Sequence, residues 1–261
     1  STNKDFKYQY PNVTATGSWR TGGALNTARS YSGGTGIQTA ALCFGGDLNA
    51  QTEKYNGTSW TEVNDLNTAR YGLAADGSQT STLAFGGHAG PGGVVAISES
   101  WNGTNWTEVA DLNTARSTQG GSGTDNTNAL SFGGYMDSGG APEYFAGTEL
   151  WNGSSWTEVN NLNTARRALA GSGTQTDALA FGGFIPPNTS ALTEEWNGSS
   201  WSETTNLSTA RYSMSSSIQG TTSSSLAFGG VYPGSTATEE WTGAGAPVGA
   251  WSTANDMNTA R

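Results

Sequence analysis

Arginine and glutamate recur in fixed phase along the chain. Each arginine ends an Asn/Ser-Thr-Ala-Arg segment, and each glutamate stands two residues before an aromatic residue. The set comprises Arg29, Arg70, Arg116, Arg166 and Arg211 together with Glu53, Glu99, Glu149, Glu194 and Glu239. A guanidinium group can satisfy a carboxylate and backbone carbonyl oxygens together, so the phasing predicts one ion pair per repeat. Because every repeat has the same pattern, we interpret these pairs as structural and not as a ring of arginines that captures an anion.

Few residues of the chain could carry catalysis. Cys43 takes a strand position that is Ala or Ser in the other repeats, which predicts a small buried side chain and not a nucleophile. His88 is the only histidine, and one histidine without a cysteine partner cannot form the usual zinc or copper site. Paired carboxylates such as Asp137 and Glu143 would be needed for glycoside hydrolysis, and sequence spacing leaves that alternative open. We expect no enzyme activity, no metal and no cofactor.

The elements that position these residues form a long repeat. Each unit contains Phe-Gly-Gly, at Phe44, Phe85, Phe132, Phe181 and Phe228. Successive turn arginines, including a sixth that ends the chain, are 41, 46, 50, 45 and 50 residues apart. A period of about 40–50 residues with several strands per unit is typical of a β-propeller blade. Since blades bury their faces only against neighbouring blades, we predict a single domain over 19–261, preceded by an N-terminal extension over 1–18.

The fourth repeat gives the clearest strand pattern. Small residues over 168–173 suit an innermost strand, and 178–181, 193–196 and a segment opening at Trp201 supply the next three strands. Asn197-Gly198 predicts a hairpin with a type I′ turn. The aromatic residues that flank this turn, Trp196 and Trp201, recur in the other repeats. We predict that these pairs pack between adjacent blades.

This pattern resembles the kelch repeat, in which a Gly-Gly doublet follows a hydrophobic strand. An aromatic residue, a nearby Trp and a turn ending in Ala-Arg complete the kelch pattern, and all five copies here match it over 19–261. Segments such as Leu-Asn-Thr-Ala-Arg and Ala-Leu-Ala-Phe-Gly-Gly are most similar to kelch-type repeats of phage virion and bacterial surface proteins. The resemblance implies an all-β propeller of four-stranded antiparallel blades.

Closure of the ring leaves two alternatives. Residues 19–29 and 251–261 both look like an outer strand followed by a turn. The chain therefore has six segments of this kind and five of every other kind. We predict five blades; the alternative is six blades, one of them shared or incomplete.

The variable loops predict the binding face. In a four-stranded blade, the loop between the second and third strands lies at the same end as the turn between blades, and variable loops on a rigid scaffold commonly carry function. Aromatic rings there would suit a sugar ring or a protein contact. The candidate binding residues are Tyr31, Tyr71, Tyr135, Tyr144, Phe145, Arg167, Phe184, Tyr212 and Tyr232.

Charge and composition narrow the function classes. The net charge of −10 argues against nucleic acid, which requires clustered Lys and Arg. No apolar run approaches the roughly 18 residues of a membrane span. We expect a non-catalytic recognition or structural module, extracellular or on a virion surface, that binds a surface glycan or a neighbouring protein. It could form a homo-oligomer or part of a larger virion assembly. The alternative is an intracellular protein-interaction propeller.

Overall fold

The chain folds as an all-β, five-blade β-propeller. The structure, a computed structural model, describes residues 21–137, 143–218, 220–231, 235–243 and 250–253. Five four-stranded antiparallel sheets form the blades, and the one helix of these residues is the 3₁₀ turn Gly90–Gly92. The predicted fold class and blade number are confirmed.

The strands follow one another in chain order through the blades. Blade 1 contains β1 (Gly33–Ile37), β2 (Ala40–Phe44), β3 (Thr52–Tyr55) and β4 (Trp60–Val63). Blade 2 contains β5 (Ala74–Ser78), β6 (Ser81–Phe85), β7 (Ser98–Trp101) and β8 (Trp106–Val109). Blade 3 contains β9 (Gly120–Asp125), β10 (Asn128–Phe132), a loop hairpin of β11 (Tyr135–Met136) and β12 (Glu143–Tyr144), then β13 (Thr148–Trp151) and β14 (Trp156–Val159). Blade 4 contains β15 (Ala170–Gly173), β16 (Ala178–Phe181), a loop hairpin of β17 (Phe184–Ile185) and β18 (Asn188–Thr189), then β19 (Thr193–Trp196) and β20 (Trp201–Glu203). Blade 5 contains β21 (Ser215–Ser216), β22 (Ser225–Phe228), β23 (Thr238–Thr242) and β24 (Ala250–Thr253).

The first strand of each blade faces the axis. Residues of all five first strands line a central cavity of about 590 Å³. These strands consist largely of Gly, Ala and Ser because the second strand of the same blade packs closely behind them. A Cβ added at Gly120 would lie 2.3 Å from the ring of Phe132, so no larger residue fits there without a shift.

Aromatic packing between blades forms the core, as predicted from the paired aromatic residues. The outer-strand Trp106 of blade 2 meets Phe44 of blade 1 edge to face, with ring centroids 4.8 Å apart. Its neighbour Trp101 is completely buried. Edge-to-face pairs contribute about 0.5–1.5 kcal/mol each beyond the burial of their surface. The repeated aromatic residues therefore hold neighbouring blades together.

Two local predictions were wrong. The Asn-Gly hairpins are not type I′ turns, because that turn needs positive φ at both residues and only Gly198 has it, at 89°. Instead the side-chain oxygen of Asn197 accepts bonds from the backbone N–H groups of Ser199 and Ser200, both at 3.0 Å. The innermost strand of blade 4 begins at Ala170 and not at residue 168, because Ala168 has φ 52° and cannot continue a strand.

Candidate functional site

The turn arginines and the repeated glutamates lie together, one pair per blade. Arg70 ends the turn that leads out of blade 1, and its Nη2 lies 3.2 Å from Oε1 of Glu99 in blade 2. The other pairs are Arg29–Glu53 at 2.5 Å, Arg166–Glu194 at 2.5 Å, Arg211–Glu239 at 2.8 Å, and Arg116–Glu149. Each pair thus connects a turn to the blade that follows it.

Other polar atoms of these pairs also have partners close by, although Nε of Arg70 and of Arg166 is buried without a hydrogen-bond partner among the described residues. Nη1 of Arg70 donates to the carbonyl of Ile97 at 2.5 Å. The second oxygen of Glu99 accepts from the backbone and side-chain amides of Asn67, at 2.7 and 2.8 Å. Burial lowers the pKa of the Arg116 guanidinium to about 10, although Glu149 opposes the change, so this arginine is charged at neutral pH. The side chains of all five pairs are at most 2% exposed, so no anion from solvent can reach them.

Predicted binding residues meet at the same end of the propeller, beside the opening of the central cavity. There the residue after a turn arginine pairs with the residue after Phe-Gly-Gly. The bridges are Tyr71 with His88, Ser117 with Tyr135, Arg167 with Phe184, and Tyr212 with Val231. Fixed backbone pairing therefore brings two separate stretches of sequence together in each of these blades.

A chain of main-chain hydrogen bonds links successive blades around this rim. Gly72 N donates to Tyr31 O at 2.9 Å, and Thr118 N donates to Gly72 O at 2.7 Å. Ala168 N then donates to Thr118 O at 2.7 Å, and Ser213 N to Ala168 O at 2.8 Å. The non-glycine residues of this main-chain belt have φ between 51° and 53°. Such strained backbone persists where the surrounding structure fixes it.

Arg167 lies among three aromatic rings on the rim. Its Cζ is 5.7 Å from the centroid of Tyr135, 5.6 Å from that of Tyr144 and 5.4 Å from that of Phe184. We call these four residues the Arg167 cluster; all four are half-buried. Every ion pair within the described residues belongs to the repeated Arg–Glu set, so Arg167 has no carboxylate partner there. The cluster therefore holds a half-buried cation that no carboxylate of the described residues neutralises.

Two loop hairpins build the cluster. Strands β11 and β12 place Tyr135 directly opposite Tyr144. In blade 4, Phe184 N donates to Arg167 O at 2.8 Å, and Arg167 N donates back to Phe184 O at 3.3 Å. Tyr212 adjoins the cluster, its ring 5.4 Å from that of Phe184. Loops of blades 3 and 4 thus form one surface.

The other predicted binding residues lie elsewhere. Phe145 packs under Arg116, with the guanidinium carbon 4.4 Å from its ring centroid, which indicates a structural role. Tyr31 and Tyr71 are 6.3 Å apart, and Tyr71 stacks on His88 at 4.9 Å, so they form a second aromatic group over blades 1 and 2. Tyr232 falls outside the described residues.

Asp137 and Glu143 lie on the same loop hairpin, in which Met136 pairs with Glu143, and Cys43 lies in blade 1. Asp137 and Glu143 are both exposed on the blade 3 loop. Cys43 is buried beside Ser32, with Sγ 3.6 Å from Oγ, and burial raises the pKa of its thiol. A raised pKa keeps the thiol protonated, which makes it a weak nucleophile.

Asp76 was missed in the sequence. It lies in β5 at the position held by Thr35 in blade 1 and by Ser in blades 3 and 4. In blade 1, the hydroxyl of Thr35 forms a hydrogen bond of 2.7 Å with the hydroxyl of Thr82 in blade 2. In blade 3, the position equivalent to Thr82 is Ala129. Asp76 of blade 2 therefore faces a residue that has no hydroxyl. Both carboxyl oxygens of Asp76 are buried without a hydrogen-bond partner in the described structure, and burial raises its pKa well above the usual range. An acidic residue at a position otherwise held by Ser and Thr was the available signal.

Neither a relative nor a metal site among the described residues identifies the function of this chain. We compared the chain with models of known protein families and with curated protein sequences, and neither comparison gave a match. Within the described ranges, no group of three His, Cys, Asp or Glu side chains is placed to hold a metal ion. The one helix of the same residues is a three-residue 3₁₀ turn, so none of their helices could span a bilayer.

Proposed function

We propose that this propeller is a non-catalytic recognition module that binds an acidic surface glycan at the Arg167 cluster. The observation that carries the proposal is a half-buried guanidinium held among three rings, with no carboxylate partner among the described residues. A guanidinium binds a carboxylate or sulfate through two parallel hydrogen bonds. Aromatic rings beside it offer flat apolar faces for the sugar.

The net negative charge of the chain means that an acidic glycan would have to be recognised by direct contact and not by long-range attraction. The net charge of −10 repels a polyanion at a distance, but salt screens such effects beyond about 8 Å at physiological ionic strength. Only groups that touch the ligand can then select it. Arg167 is the guanidinium on this rim that has no partner carboxylate among the described residues.

The proposal also includes the family of the propeller, kelch-type, and its location, outside the cell or on a virion. The recurring Phe-Gly-Gly, paired aromatic residues and Ala-Arg turns support a kelch-type propeller. Similarity to repeats of phage virion and bacterial surface proteins supports a location outside the cell or on a virion. Only three lysines occur in the chain, against many Ser, Thr, Asn and Gly, which is consistent with such a surface.

Binding of the purified chain to an array of acidic and neutral microbial polysaccharides tests the proposal. We expect saturable binding to acidic glycans that Arg167→Ala abolishes. Arg167→Lys should bind at least tenfold more weakly, because lysine keeps the charge but loses the planar fork. Lys54→Ala is the matched control: it removes one positive charge from β3 of blade 1 and should bind like the unmodified chain. Equal binding by the unmodified chain and Arg167→Ala would refute the site.

A protein partner is the second candidate, at exposed apolar side chains of blades 1 and 5. Tyr31, Leu48 and Val231 are 64%, 48% and 40% exposed. Exposed large apolar side chains can indicate a protein contact when they form one patch. The same surface would serve a neighbouring virion protein, a second copy or an intracellular partner. Absence of glycan binding together with self-association that Val231→Ser removes would favour this candidate.

A further inference from the structure

The aromatic surface of the rim continues past the Arg167 cluster to Tyr212. The ring centroid of Tyr212 lies 5.4 Å from that of Phe184, and the centroid of Phe184 lies 6.2 Å from that of Tyr144. The planes of the two pairs are tilted by 55° and 51°, so each ring presents a face of its own. Tyr144, Phe184 and Tyr212 therefore form a row of rings that leads from the loop of blade 3 over blade 4 to blade 5.

Main-chain contacts fix Tyr212 relative to Arg167. Each of these two residues directly precedes a residue of the main-chain belt, and there Ser213 N donates to Ala168 O at 2.8 Å. Both belt residues have a left-handed backbone, with φ of 51° at Ser213 and 52° at Ala168. On its other side, Tyr212 O accepts from Val231 N at 2.8 Å. A ligand that contacts Arg167 and Tyr212 together would therefore pay little for ordering the protein.

Tyr212 differs from the rings of the cluster in what it contacts. The rings of Tyr135, Tyr144 and Phe184 lie around the guanidinium group. Among the described residues, no cation–π contact joins Arg167 to Tyr212. An anionic group bound by Arg167 therefore lies among the first three rings, and Tyr212 is placed to meet the part of the ligand that continues beyond them.

The equivalent residue of blade 2 shows why the faces of Tyr212 are left uncovered. Tyr71 also follows a turn arginine, and its bridge partner His88 stacks on it at 4.9 Å with planes 27° apart. The bridge partner of Tyr212 is Val231, which has no ring and is itself 40% exposed. Within the described part of the chain, the ring in contact with Tyr212 is that of Phe184, at a tilt of 55°. No described ring therefore stacks on Tyr212.

The charges around Tyr212 indicate what can bind there. Arg211 is 1% exposed and pairs with Glu239. Outside the repeated ion pairs, the described cations are Arg167 and Lys54, and Lys54 lies in blade 1. A second acidic sugar at Tyr212 would thus bring a negative charge without a cation of its own to a chain of net charge −10. A tyrosine ring offers an apolar face and a polar edge, which match the C–H face and the hydroxyl edge of a neutral sugar.

We propose that Tyr212 is the platform of a second subsite, which holds a neutral sugar next to the acidic sugar bound by Arg167. This inference rests on the proposed function and specifies its ligand: a glycan in which an acidic sugar is joined directly to a neutral one. The 5.4 Å between the rings of Phe184 and Tyr212 is comparable to the length of one sugar unit along a glycan. A polymer of acidic sugars alone would fill the first subsite and match the second poorly.

Titration calorimetry with defined tetrasaccharides tests the second subsite. In the tetrasaccharides of hyaluronan and of unsulfated chondroitin, glucuronate alternates with a neutral N-acetylhexosamine, whereas in tetragalacturonate every sugar is acidic. We expect an alternating tetrasaccharide to bind more tightly than tetragalacturonate. Tyr212→Ala should weaken the alternating probe by about tenfold, the effect of losing one well-packed aromatic contact, and tetragalacturonate by no more than about twofold.

Three further variants keep the test decisive. Tyr212→Phe keeps the ring and should bind like the unmodified chain, and Tyr212→Leu fills the space without a ring and should bind as weakly as Tyr212→Ala. Ile37→Ala is the matched control for an exposed apolar side chain: Ile37 is 61% exposed, at the end of β1 away from Phe44 and the rim, and its loss should not change binding. Urea unfolding of each variant separates a loss of affinity from a loss of fold.

The outcomes distinguish this inference from the proposed function. Binding that depends on Arg167 but is the same in Tyr212→Ala would overturn the second subsite and leave the proposed function standing. On the polysaccharide array, Arg167-dependent binding confined to polymers made only of acidic sugars would do the same. If neither the tetrasaccharides nor the acidic polysaccharides of the array bind, the proposed function fails and the second subsite fails with it.

Discussion

Arg166 and Arg167 are neighbours in sequence with opposite surroundings. Arg166 is fully buried, and its guanidinium meets Glu194 at 2.5 Å. Arg167 reaches the rim, where three rings surround it and no carboxylate of the described residues pairs with it. Arg166 has an equivalent in every blade, whereas the residues equivalent to Arg167 are Ser or Tyr.

The difference separates framework from recognition. A side chain that recurs in every blade has a role that every blade needs. For Arg166 this role is to join a turn to the blade that follows it. A side chain that occurs in one blade alone, such as Arg167, has a role specific to that blade.

The largest expected effect is on Arg166. Arg166→Ala leaves Glu194 buried without its cation, so we expect the free energy of unfolding in urea to fall by about 3–5 kcal/mol. Replacing both partners, as Arg166→Met with Glu194→Leu, should lose much less, because no uncompensated charge stays buried. If Arg166→Ala unfolds at the same urea concentration as the unmodified chain, the pairs do not hold the blades.

A smaller effect, dependent on pH, is expected at Asp76. Its pKa in the folded chain is raised by burial, so the folded state keeps a proton that the unfolded state releases above about pH 4. The contribution of Asp76 to stability is therefore largest at low pH and is lost as the pH rises toward the folded pKa.

Asp76→Ser restores the residue type of blades 3 and 4 and removes this dependence. We expect the variant to be more stable by about 1–3 kcal/mol at neutral pH, because a smaller hydroxyl replaces a buried carboxyl group that has no hydrogen-bond partner among the described residues. The gain should shrink toward pH 4.5. Urea unfolding of both proteins at several pH values measures the difference, which cancels the other carboxylates. A gain that does not change with pH would show that Asp76 is not the titrating group.

The smallest expected effect on stability is at Arg167. Arg167→Ala removes cation–π contacts that contribute about 0.5–1 kcal/mol at exposed sites, so unfolding should change little while glycan binding is lost. This outcome would sharpen the contrast with Arg166→Ala. A loss of several kcal/mol in Arg167→Ala would instead assign the cluster to the framework.

Repetition decided what the sequence could predict. The Phe-Gly-Gly strands and the Arg–Glu phasing follow from needs that recur in each blade, so one repeat explains the others. Arg167 and Tyr144 were both predicted as candidate binding residues, but their contact depends on two loop hairpins that no other blade repeats. The unpaired carboxyl group of Asp76 was not predicted, because it depends on a residue of the next blade: Ala129 stands there in place of a residue with a hydroxyl. The type I′ turn predicted at Asn197 was wrong, because the side-chain oxygen of Asn197 accepts hydrogen bonds from the backbone N–H groups of the loop.

The hydrogen bonds around the rim have a consequence for how the surface can change over evolution. They use only N–H and C=O groups, and the positions they join hold Tyr, Gly, Thr, Ala and Ser in turn. Any residue that tolerates the left-handed backbone at these joints preserves them. The propeller therefore offers a ring of positions that mutation, or a combinatorial library, can vary to seek new ligands while the blades stay joined.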